Sequence, residues 1–181
     1  VDFDSIKNKN VREFGAESIA LQALEQLELK TFFESQYWSE EQINLSLAQI
    51  VSRAVYPASE NKTTLWMKEN SSILELTGYD SSILTKDKLY KNALSLYKVK
   101  DSLEQYLSKK TNELFDLDDK IMLYDLTNTY FEGEKRNSKL AKFGRSKEKR
   151  SDAKLVVLGM VVNQQGFIKY SSIFEGNMAD N

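Results

Sequence analysis

Apolar residues recur every three or four positions through the first two thirds of the chain. In the last third they alternate or run together. Ala16, Ile19, Ala20, Ala23, Leu24 and Leu27 predict a helix from Ala16 to about Glu34. Ser39 with Gln42 is a capping box, in which hydroxyl and amide satisfy free N–H groups at a helix start. The helix that follows carries Ile43, Leu47, Ile50, Val51 and Ala54 on one face. It ends at Tyr56-Pro57, because a residue before proline avoids helical geometry. Leu65, Trp66 and Met67 mark a third helix over 59–70, with both tryptophans, Trp38 and Trp66, expected in core or interface. Ser72 and Glu75 cap a short helix that Gly78 stops. Thr85 opens another, with Leu89, Ala93, Leu96 and Tyr97 inward. After a break near 98–100, Leu103, Leu107 and Leu114 continue the stripe. Such stripes predict a helical core. Residues 1–15 are polar and weakly patterned and read as an arm.

Five of the seven glycines lie at or beyond Gly133, and the pattern changes near 115–119. Strands are predicted over 121–130, over the apolar run 153–162, and over 167–174 after an Asn163-Gln164-Gln165-Gly166 turn. The expected fold is α+β: a helical domain over 1–117, for DNA binding or dimerisation, then strands over 118–181. Asp125 is the single acid in the apolar run 121–126. A carboxylate buried there is costly without a cation or metal, so it reads as a metal ligand or as the partner of a nearby Lys or Arg. With three strands and the Asp125 strand at one side, one edge is left open to another chain or to cover by the helical part.

Composition narrows the chemistry. The 181 residues contain no Cys and no His, which removes disulfides, thiol nucleophiles, histidine bases and the usual zinc ligands. Carboxylates, Lys, Tyr, Ser, Thr or an oxygen-liganded ion such as Mg²⁺ remain. A cysteine-free chain fits a cytoplasmic location, and neither a membrane span nor a secretory signal is visible. The missing initiator Met and the abrupt end at Asn181 read as a piece of a longer chain. The net charge of −2 hides an excess of +7 between Lys135 and Lys154, which leaves −9 on the remainder. The cations are Lys135, Arg136, Lys139, Lys142, Arg145, Lys147, Lys149, Arg150 and Lys154, with Phe143 placed for stacking. They read as a phosphate-contacting surface or as a solvated loop. Glu132, Glu134, Glu175 and Asp180 are the other acids nearby.

The stretches YDLTNTYFEG, GRSKEKRSDAKLVVLGMVVNQQGF and FEGN-MAD resemble insertion-sequence transposases of the DDE type, whose catalytic core has an RNase-H-like fold. The helical stretch from Tyr56 to Leu107 is also similar to that family. The resemblance covers roughly 51–180, and its second half is the specific part. It implies that the strands open a truncated RNase-H-like core, with Asp125 the first of three catalytic acids and a Mg²⁺ ligand. Thr127 would be the threonine of the Asp-x-Thr motif. Gly144, Arg145, Ser146, Lys147 and Lys154 would belong to the family's basic segment. Lys139, Lys142, Arg145, Lys147, Lys149, Arg150 and Lys154 are the expected DNA contacts. The implied activity is Mg²⁺-dependent cleavage and strand transfer of double-stranded transposon ends by a homo-oligomer. The second Asp and the Glu have no counterpart in this chain, so the chain alone is expected to be inactive. The competing readings are a non-catalytic DNA-binding or oligomerisation module and another RNase-H-like nuclease.

Overall fold

The computed structural model describes residues 9–117, 120, 122–133, 135–144 and 152–178. Among these the chain is α+β, with seven α-helices followed by a three-stranded antiparallel sheet. It divides into two compact units, Val1–Lys100 and Asp101–Asn181. The change of pattern near 115–119 does separate the last helix from the first strand. By contacts, however, the division falls one helix earlier than 117, because that helix belongs with the sheet.

The first unit holds α1 (Gly15–Gln26), α2 (Leu29–Ser35), α3 (Glu40–Val55), α4 (Glu60–Glu69), α5 (Ile73–Thr77) and α6 (Lys86–Lys98). The single helix expected to reach Glu34 is two helices, because Glu28 takes a left-handed conformation at φ 52°. That break resets the phase of the stripe and turns Leu29, Phe32 and Phe33 into the core. Ser39, Ser59 and Thr85 cap their helices by accepting N–H bonds from Gln42, Lys62 and Lys88. Ser72 does not cap α5. The Ser71 hydroxyl accepts from the Ile73 N–H instead, and Ser72 donates to the Glu13 carbonyl. Glu13 thereby ties the described end of the N-terminal arm to Asn70, Ser72 and the Trp66 indole.

Helix α3 is central. It touches α1, α2, α5 and α6, so Leu45, Ser46, Ala48, Gln49 and Ser52 are buried beside the expected Ile43, Leu47 and Val51, while Ala54 is exposed. Asn92 links α6 to it, donating to Gln49 Oε1 and accepting from the Ser46 hydroxyl, both at 2.9 Å. Tyr97, expected inward, is exposed, because α6 turns Leu89 and Asn92 toward α3. Trp66 is buried and stacks on Tyr56, and Trp38 stacks on Phe33.

The second unit contains most of α7 (Lys100–Phe115) and the strands β1 (Met122–Tyr130), β2 (Leu155–Asn163) and β3 (Ile168–Glu175). The order is β1-β2-β3, so β1 is an edge. The hairpin between β2 and β3 closes through Asn163, whose buried side chain accepts from the Gln165 and Phe167 N–H groups, with Gly166 at φ +87°. On one face, Gly159 leaves room for Tyr124, Leu126 and Phe174. On the other, Ser171 bonds Glu104 of α7, and Phe115 of α7 lies against Phe167.

Candidate functional site

Opposite residues of antiparallel neighbours share a face. Asp125 pairs with Met160, which pairs with Ser171, so Asp125 lies on the face that Glu104 reaches from α7. Helix α7 meets that face at β3, the far strand. Leu123, Asp125, Thr127 and Thr129 of β1 are exposed. The expectation of a buried carboxylate is therefore corrected. An edge strand with an open face leaves Asp125 in solvent, so it needs no compensating cation to be stable there. Among the described residues its carboxylate has one side-chain partner, the Thr127 hydroxyl, which donates to Oδ2 at 3.3 Å. The two-residue spacing of a strand returns side chains to one face, and this is why Asp-x-Thr brings them together.

The structure describes Lys139, Lys142 and Lys154 of the expected DNA contacts; Arg145, Lys147, Lys149 and Arg150 lie outside the described residues. Lys142 exchanges two backbone hydrogen bonds with Leu155, at 3.1 and 2.9 Å, so the basic segment is stitched to the start of β2. Leu155 pairs with Tyr130, five residues along β1 from Asp125. At ~3.4 Å per residue, Lys142 and Lys154 are thus about 17 Å along the strand from the carboxylate. Closeness in sequence does not make one compact site. It makes a linear track of charge, with the acid at one end and the nearest described cations about 17 Å along it.

Two features were not visible in the pattern. Segments 140–144 and 176 cross at van der Waals range. A Cβ on Gly144 would overlap the Gly176 carbonyl, and one on Gly176 would overlap the Leu155 carbonyl and come within 2.7 Å of the Lys142 carbonyl oxygen. Both glycines were legible only as members of the family-like stretches. Close by, a cavity of about 430 Å³ opens between Phe131 and Phe143, with Arg136 and Lys154 among its lining residues.

Glu134 and Asp180 lie outside the described residues. Glu132 lines the cavity and Glu175 ends β3 opposite Val156. Among the described residues no group of three or more acids could hold a metal ion. No helix among them is long and apolar enough to cross a membrane. Comparison with protein-family models, with curated proteins and with solved structures gives no match.

Proposed function

We propose that this chain is the DNA-handling part of a DDE-type insertion-sequence transposase, its sheet the first three strands of an RNase-H-like core. The observation that carries the reading is Asp125 itself. It is the acid of an Asp-x-Thr pair, displayed on the open face of an edge strand in a β1-β2-β3 antiparallel sheet, with a basic segment entering β2. Its oxygen donors suit Mg²⁺, which prefers octahedral oxygen ligation and keeps several waters. One carboxylate is too few, and the set must be completed by acids other than those described. Bound Mg²⁺ ions would activate water and then a DNA 3′-hydroxyl for in-line attack on phosphodiesters. In this reading Asp125 offers its carboxylate to the metal, and Thr127 orients it through the hydroxyl bond. The cations at 139–154 hold phosphates along the track. The helical unit binds DNA or a second protomer, and the protein works in the cytoplasm.

A second reading is a non-catalytic DNA-binding or oligomerisation module. What favours it is that no group of three or more acids among the described residues could hold a metal ion. Binding of a labelled duplex across a salt titration tests the element that both share. Replacing Lys142, Arg145, Lys147 and Lys149 by Ala should weaken binding and lower the log–log salt slope by about 0.9 for each lost phosphate contact. An unchanged slope would make the run a solvated loop and remove the DNA reading.

A further inference from the structure

The cavity between Phe131 and Phe143 points to a second site, and we infer that it takes one unpaired nucleotide. The base would stack on the phenyl rings and the phosphate would meet Lys154. The inference rests on the DNA-binding reading above and names a further contact within it.

The site is held by backbone. The Phe131 N–H donates to the Lys154 carbonyl at 2.8 Å, fixing one wall to the lead-in of β2. The Lys142–Leu155 pair fixes the other wall one residue before Phe143. Gly133 and Ala153 also line the cavity, as do two carboxylates, Glu132 and Asp152, beside the cations Arg136 and Lys154. The resulting volume, about 430 Å³, lies in the range of small-ligand sites, roughly 300–1,000 Å³. Phe143 is 60% exposed, so much of its side chain is accessible at the cavity.

The rings already attract cations. The Lys154 ammonium is 5.9 Å from the Phe143 centroid, and that of Lys135 is 5.2 Å from the Phe131 centroid. A nucleotide uses both properties together, its base on the ring and its phosphate on the ammonium. A paired base is stacked within its duplex and presents only an edge, so a cavity of this kind selects an unpaired one.

The test uses the intact chain with a fluorescently labelled single-stranded oligodeoxynucleotide, the same sequence as duplex, and dAMP. Phe143→Ala should weaken single-strand binding roughly 5- to 150-fold, the range for loss of one base-stacking platform, and Phe143→Trp should restore it. Lys154→Gln should lower the single-strand salt slope by about 0.7. Far-UV circular dichroism checks that each variant is folded. Crosslinking of a 5-bromodeoxyuridine oligonucleotide to the unmodified chain should label the peptides containing Phe131 or Phe143. Loss of dAMP binding in parallel with the oligonucleotide would assign the site to free nucleotides as well as to a strand. Wild-type affinity in a folded Phe143→Ala, or crosslinks confined to other peptides, overturns the site. If Phe143-dependent single-strand binding persists while duplex binding is absent, the transposase reading falls and the cavity stands. Duplex binding with no Phe143 effect gives the reverse.

Discussion

Gly176 is where one added methyl group should do the most damage. A Cβ there meets the Leu155 and Lys142 carbonyl groups, which are backbone and cannot rotate away. Relief requires the 176 segment and the Lys142–Leu155 pair to move apart. That movement disrupts the two Lys142–Leu155 hydrogen bonds and the bond from the Gly176 N–H to the Leu140 carbonyl. At about 0.5–1.5 kcal/mol each, the three give a loss of about 2–4 kcal/mol. For a unit of this size each kcal/mol moves the midpoint by about 4–8 °C, so Gly176→Ala should lower the melting of the second unit by on the order of 10 °C or more. Both tryptophans lie in the first unit, so tryptophan fluorescence follows that unit while circular dichroism follows both. The variant should shift the circular-dichroism transition far more than the tryptophan one. Gly144→Ala acts on the same crossing, so the double variant should lose much less than the two single losses together. A circular-dichroism melt of Gly176→Ala that coincides with wild type would refute the idea that this backbone crossing holds the second unit together.

In Mg²⁺ or Mn²⁺ the chain alone should neither nick a labelled transposon-end duplex nor transfer strands. A longer chain supplying the two acids that the resemblance implies should do both and lose them on Asp125→Asn. Full activity in that variant would remove Asp125 from the role proposed for it, and cleavage by the present chain would overturn the reading that the other acids are missing from it. The edge strand makes a separate prediction. Met122, Leu123 and Tyr124 are 47%, 54% and 59% exposed on a nine-residue edge with no Lys or Pro, the residues that usually blunt such edges. Sedimentation should show concentration-dependent self-association that Leu123→Lys suppresses, and a monomer at every concentration would contradict it.

Local chemistry made much of this molecule readable from the chain. Ser39, Ser59 and Thr85 announce helix starts because their hydroxyls satisfy N–H groups three residues on. Gly78, at φ +70°, and Pro57 announce stops for reasons confined to their own backbone. The three strands, the Asn163–Gly166 turn and the α+β class follow from period and turn residues alone. The pairing of Asp125 with Thr127 needs only the two-residue repeat of a strand.

The tertiary structure decided what depends on neighbours distant in sequence. Amphipathic pattern identifies one apolar face, so it could not reveal that α3 is surrounded and buries Ser46, Gln49 and Ser52. It placed Tyr97 inward, where the geometry of α6 against α3 put Asn92 instead. The Asp125 strand is expected at one side of the sheet, and the order β1-β2-β3 has it there; which part of the sheet a helix covers is not carried by hydrophobicity along one strand. Helix α7 meets the face at β3, so the β1 end stays open and Asp125 is exposed. In the same way, the pairing of Lys142 with Leu155 set the cations about 17 Å along the sheet from that acid. Distance along a chain and distance across a sheet are independent until the strands are paired.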